Sequence, residues 1–140
     1  MSYADDVRKF MKVAGQEVRT EPTVISDQER WQRYCYLTEE VSEMKQALAD
    51  LKKASEYGNR ARTKAALVDL GDALADIVFV TIGTAHAYGL DFDGMWAEVA
   101  RSNMAKFPDG VAVRDENNKV VKPHDWVAPD IKGVLFPSKH

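Results

Sequence analysis

Six acidic residues fall into two groups whose spacing could bring them to one site. Glu39, Glu40 and Glu43 form the pattern Glu-Glu-x-x-Glu, and in a helix of 3.6 residues per turn Glu39 and Glu40 both lean toward Glu43. Asp69, Asp72 and Asp76 stand at i, i+3 and i+7 in a stretch that is otherwise apolar after Val68. On a wet surface like charges at this spacing cost only about 0.2–0.5 kcal/mol per pair, so each group alone reads as a solvated acidic face. Burying ionised carboxylates is far more costly unless a counter-charge is supplied. If the two groups face each other, a hard divalent cation on oxygen ligands meets that need, which points to Mg²⁺ or Mn²⁺ rather than zinc.

The elements that must position these acids are helices. Apolar residues at helical steps, with Ser26 and Glu29 as a capping box, predict a long helix from Ser26 to about Ser55 whose buried stripe holds Trp31, Tyr34, Cys35, Leu37, Val41, Met44, Leu48 and Leu51. Gly58 breaks the pattern. Asn59 is the N-cap of a second long helix with a stripe of Leu67, Leu70, Leu74, Ile77, Val78 and Ile82, closed by Gly89 as a C′ residue. A short helix over Asp5–Val13 precedes this pair, and a fourth, capped by Asp91 or Asp93, runs toward Asp109-Gly110. Two long helices joined by a short break pack most simply as antiparallel neighbours. Glu43 lies about 14 residues before the break and Asp72 about 15 after it, so they come level, and Glu39 and Glu40 fall opposite Asp76. Beyond about residue 108, Val111, Val113, Val120 and Val121 flank the turn-rich Asp115-Glu116-Asn117-Asn118, which reads as a small hairpin followed by an irregular arm on the surface or on a second subunit.

Composition narrows the class. At 140 residues, with 45% hydrophobic and 29% charged residues, the chain fits one domain with a single core. A net charge of −3 with interspersed signs offers no broad basic field for nucleic acid. The lone Cys35 excludes an intrachain disulfide framework, and no Cys/His cluster has zinc spacing. The start lacks a signal-peptide pattern and no apolar run is long enough to span a bilayer, so the expectation is a soluble cytoplasmic protein without a membrane or nucleic-acid partner.

Glu39-Glu40-x-x-Glu43, Asp72-Ala-Leu-Ala-Asp76-Ile-Val-Phe-Val, Gly83-Thr84-Ala85 and Arg101-Ser102-Asn103-Met104-Ala105-Lys106 together resemble the MazG-like and phosphoribosyl-ATP pyrophosphohydrolase-like all-α nucleotide pyrophosphatases, and in particular the branch that includes phage as well as bacterial proteins. The resemblance extends over about residues 5 to 125. It implies an all-α, four-helix MazG-like bundle, a helical core over about 5–107 and a C-terminal arm over about 108–140, assembled as a homodimer or homotetramer. It also implies Mg²⁺-dependent hydrolysis of a nucleoside or deoxynucleoside triphosphate to the monophosphate and pyrophosphate. Position within the motif makes Glu40, Glu43 and Asp76 metal ligands and Asp72 a fourth, with Glu39 as the carboxylate that orients or deprotonates the attacking water. Arg101 and Lys106 would hold phosphate oxygens and Asn103 would add a hydrogen bond. One position departs from the family's Glu-x-x-Asp: Ala73 stands where the acid is expected. Asp72 is the matching acid, with Asp69 able to act in its place through a water.

Several of these residues also have a plainer reading. Trp31 and Tyr34 could wall a base or simply be core, Gln16 or the loop around Pro22 could read a base edge, and Lys106 could only complement a helix end. His86 and Cys35 read as packed residues. Three alternatives compete with triphosphate hydrolysis. Phosphoribosyl-ATP is the other substrate of the enzyme class, an inert helical interaction module would leave the acids solvated, and a di-iron carboxylate bundle needs Glu-x-x-His pairs that this chain lacks.

Overall fold

A computed structural model describes residues 1–138. Five helices follow one another: α1 (Tyr3–Val13), α2 (Asp27–Glu56), α3 (Arg60–Tyr88), α4 (Phe92–Met104) and α5 (Ile131–Leu135). No strand forms among the described residues, so the all-α expectation holds, with a short fifth helix added to the expected four. None of the helices is long and apolar enough to cross a membrane. The chain divides into two compact units, Met1–Gly89 and Leu90–His140.

In the first unit α2 and α3 form an antiparallel hairpin against which α1 packs through α3. The local signals at its ends act as expected: Ser26 accepts from the Glu29 amide and Asn59 from the Arg62 amide, and Gly89 closes α3 in the left-handed region at φ 71°. A Cβ there would run into the backbone of Glu21. The capping box at Ser26 is only half made, because the Glu29 carboxylate turns to Arg19 instead, at 2.9 and 3.1 Å. Arg19 in turn donates to the Ala87 carbonyl, and the amides of Arg19 and Thr23 donate to His86 and Tyr88. The connection from α1 to α2 thus satisfies the last carbonyls of α3, which a helix leaves unpaired. Ser2, which carried no weight in the sequence reading, makes a full capping box with Asp5 at the start of α1.

The seam of the hairpin differs from the expected leucine stripes. Its buried residues are Ala47 and Ala54 on α2 and Ala66 and Ala73 on α3. Small side chains let two backbones approach closely, so larger neighbours are turned to the flanks: Trp31, Tyr34 and Leu48 on α2, and Leu67, Leu74 and Val78 on α3, are all exposed. Farther along α3, Ile82 and Ala85 are buried where α3 meets α1, whose Val7 and Met11 are buried as well. His86 is buried there and its Nε2 lies 2.7 Å from the Ala4 carbonyl, a packed histidine as its position suggests.

In the second unit α4 stops at Met104 with Ala105 as its cap, before the expected Asp109-Gly110. The arm returns onto α4 of its own chain: the Trp126 indole donates to the Ser102 carbonyl at 2.6 Å and the Asp130 amide donates to Glu98 at 2.9 Å. The expected hairpin shrinks to one antiparallel bridge between Arg114 and Val120, around a turn in which Asn118 takes φ 64°. The run of side chains between the bridge partners is polar and exposed, so no apolar face is available to extend the pairing.

Candidate active site

Three of the predicted acids converge. Ligand oxygens of Glu40, Glu43 and Asp76 all lie within 4.8 Å of one another, brought together because α2 and α3 run antiparallel with their alanine seam beside the acids. Glu40 and Glu43 are three apart and so share a face of α2, and Asp76 meets them one turn beyond the seam residue Ala73. Glu40 opposite Asp76 follows the sequence counting. Glu43 reaches the same aspartate, while its expected level partner Asp72 stands outside the trio. Asp72 and Glu43 instead line a common cavity of about 270 Å³, with Gln46, Ala47, Asp50 and Asp69.

The trio is electrostatically unfinished. Glu40 is half-buried, one of its carboxylate oxygens, Oε2, is shielded from solvent without a hydrogen-bond partner among the described residues, and none of the three acids forms an ion pair with a described residue. Burial first, then the charges of Glu43, Asp76 and Glu39, push the Glu40 carboxyl above the usual carboxylate range. A buried acceptor with no donor costs on the order of 1–3 kcal/mol, and a divalent cation would satisfy it while neutralising its neighbours. The donor set is all oxygen, which suits Mg²⁺ or Mn²⁺. Glu39 is exposed beside the trio and acts on it through its charge.

Ala73 accounts for the departure from the family's acidic pattern. It is only 2% exposed, so the position faces α2 but presents a methyl group, and Asp72 beside it projects from the edge of the seam into the neighbouring cavity.

Next to the trio opens a larger cavity, of about 580 Å³, that Glu40 and Asp76 line together with Phe10, Gln16, Arg33, Tyr36, Phe79 and Gly83 among others. Phe10 and Phe79 meet edge-on, centroids 5.2 Å apart. Arg33 and Tyr36 share the α2 face of Glu40, seven and four residues before it. Trp31, nine residues before Glu40, falls roughly half a turn round α2. It is 58% exposed and stacks on Tyr34 at 5.4 Å, so the structure does not bring it to the trio. Of the residues suggested for the base only Gln16 lines this cavity. Arg33 was missed, although the seven-residue step to Glu40 was there to be counted.

Arg101, Asn103 and Lys106 belong to the second unit. Arg101 is paired with Glu98 at 2.7 Å, and Lys106 donates to Asn103 at 2.9 Å with its ammonium 5.6 Å from the centre of the Trp126 ring. As placed, both cations are engaged within their own unit.

Residues 7–103 match the family model described as phosphoribosyl-ATP pyrophosphohydrolase. The match runs from the middle of α1 to the last turn of α4 and takes in the whole acidic trio. No curated protein matches the chain.

Proposed function

The chain belongs to the phosphoribosyl-ATP pyrophosphohydrolase family, and from that premise we propose that it hydrolyses a nucleoside or deoxynucleoside triphosphate between the α- and β-phosphates. The observation that carries this reading is the uncompensated trio of Glu40, Glu43 and Asp76 at the rim of a cavity with aromatic walls, since a polyphosphate and a flat base need those two surroundings side by side. Glu40, Glu43 and Asp76 would hold Mg²⁺, with Mn²⁺ as a substitute, and Asp72 would join through its own oxygen or a water. When bound, the ion supplies charge neutralisation of the phosphates and acidification of water.

Glu39 has an exposed carboxylate beside the trio, suited to orienting the attacking water and taking its proton. The water oxygen bonds to the α-phosphorus, the bond from that phosphorus to the α–β bridging oxygen breaks, and pyrophosphate leaves with the electron pair. Arg101, Asn103 and Lys106 are proposed as phosphate contacts, which requires Arg101 to exchange Glu98 for substrate. Release of pyrophosphate from a triphosphate panel in the presence of Mg²⁺ tests the reading. Orthophosphate as product, or full activity in Glu43→Gln, would overturn it. Because the family carries its name, phosphoribosyl-ATP is the second substrate to assay. An inert interaction module predicts no product from either.

The outer faces of the hairpin suggest self-association. Leu67, Leu74 and Val78 are 53%, 47% and 47% exposed on α3, an apolar stripe that a second copy would cover, giving a homodimer or homotetramer built from one domain per chain. Light scattering coupled to size exclusion tests this, and a monomer at micromolar concentration would refute it.

A further inference from the structure

Among the described residues that line the larger cavity Arg33 is the one cation, and its surroundings leave it without an ion pair. It is half-buried, no carboxylate among the described residues pairs with it, and the nearest acid on its helix, Glu29, is already held by Arg19. Burial holds the guanidinium pKa below its ordinary value, though an arginine remains charged throughout the working range. Its Nη2 donates to Gln16 Oε1 at 3.3 Å, and its carbon lies 5.7 Å from the centre of the Tyr36 ring. Its Nη1 occupies the space of an absent side chain, because a Cβ on Gly83 would stand 2.8 Å from it. The guanidinium is therefore seated by α3 and by the loop that carries Gln16.

The donor pattern is one-sided. Arg33 has only N–H groups to offer. With the Gln16 carbonyl oxygen occupied by Arg33, the glutamine has its amide N–H groups left to present. Seven residues of helix, about 10 Å at 1.5 Å per residue, separate Arg33 from Glu40, which is roughly the reach from the phosphate end of a nucleotide to the outer edge of its base. Phe10, Tyr36 and Phe79 line the space between.

Resting on the proposed triphosphate reading, we infer that Arg33, with Gln16, selects nucleotides whose base carries a keto oxygen rather than an amine at C6 of a purine or C4 of a pyrimidine, guanine foremost and uracil or thymine next, against adenine and cytosine. Guanine O6 and N7 match an arginine fork, and the carbonyls of uracil and thymine accept a single bond from it. The exocyclic amines of adenine and cytosine would set donor against donor in a partly dry pocket and leave both unsatisfied.

The test is a comparison of kcat/KM for pyrophosphate release from GTP, ITP, UTP, ATP and CTP, alongside calorimetric binding of GMP and AMP to the same full-length protein. Inosine keeps O6 and N7 without the 2-amino group, so ITP isolates the edge that Arg33 would read. The expected result is a preference of at least about tenfold for GTP, ITP and UTP over ATP and CTP. In Arg33→Leu, and in Gly83→Ala, whose methyl group displaces the guanidinium while keeping its charge, the preference collapses toward unity. Circular dichroism establishes that both variants fold. Equal turnover of all five in the unaltered protein, a preference that survives Arg33→Leu, or a uniform loss on every base in that variant would each overturn the inference, the last by making Arg33 a phosphate contact. If no triphosphate yields pyrophosphate but GMP binds tighter than AMP through Arg33, the hydrolytic reading fails and base selection stands. If neither monophosphate binds preferentially, base selection fails whatever the turnover.

Discussion

Glu40 in the first unit and Glu98 in the second are both partly buried glutamates on helices, and their surroundings push them in opposite directions. Glu98 receives the Arg101 guanidinium and the Asp130 amide, which hold its carboxyl down at about 2. Glu40 receives only other carboxylates and rises above the ordinary range. The same contrast separates two arginines: Arg19 is fully used by Glu29 and by the Ala87 carbonyl, whereas Arg33 forms no ion pair with any described residue. Side chains whose pairing is complete tie the fold together, as Glu98 fastens the arm to α4 and Arg19 fastens a loop to α3. Those left incomplete mark where the protein is built to meet something else.

The sharpest way to break this contrast is to remove an uncompensated acid. Glu43→Gln or Asp76→Asn should lower pyrophosphate release by at least about a hundredfold with the helical circular-dichroism spectrum intact, and a loss of less than tenfold would mean the trio is not the centre of the chemistry. Next in size is the response to ions. Mg²⁺ at a hundred times its dissociation constant should stabilise the fold by about 2.7 kcal/mol, read as a rise in Tm that EDTA reverses and Glu43→Gln abolishes. A rise that merely follows ionic strength would return the acids to the status of a solvated face.

A smaller effect concerns Glu40 without metal. Its carboxyl titrates above the unfolded value, so the folded state binds the proton more tightly. The resulting stability is present below the ordinary glutamate pKa and is lost as pH rises through the raised one. Glu40→Gln should therefore raise the Tm of the metal-free protein at neutral pH by a few degrees and flatten that decline, and an unchanged profile would count against it. Glu98 has the opposite sign. Its depressed carboxyl contributes above the ordinary glutamate pKa, and that contribution disappears as pH falls toward about 2. The effect should be modest and local, seen as faster hydrogen exchange of the Asp130 amide in Glu98→Gln at neutral pH, with α2 and α3 unaffected.

Much of this could be read from the chain because it is local. Ser26, Asn59, Asp91 and Gly89 act within a turn of their own position, and the meeting of Glu40 with Asp76 needs only a helix count and a short connection. The misread parts depend on how closely helices approach. Helical periodicity tells that Leu67 and Leu74 share a face with other apolar residues, but it does not tell that alanines will take the seam and leave them outside. Trp31 keeps step with the apolar stripe of α2, but nine residues carry it about half a turn away from Glu40. Arg33 was passed over because a charged residue in a helix ordinarily lies in water, and only the gap opposite Gly83 reveals its seat. In the arm, the valines flanking the turn suggested strands, while the polar residues between them kept the pairing to a single bridge.

The alanine seam has a consequence for the size of ion the site can accept. Mg²⁺ requires oxygens at about 2.0–2.1 Å and Ca²⁺ at 2.3–2.6 Å, a difference smaller than the width of one methyl group. Ala47 and Ala73, both buried, sit within about a turn of Glu43 and Asp76 respectively and set how closely the two helix backbones approach beside the acids. Discrimination between ionic radii would then be governed by residues that carry no oxygen ligand, and a change from alanine to valine in the seam would alter the site's gauge while leaving every acid in place.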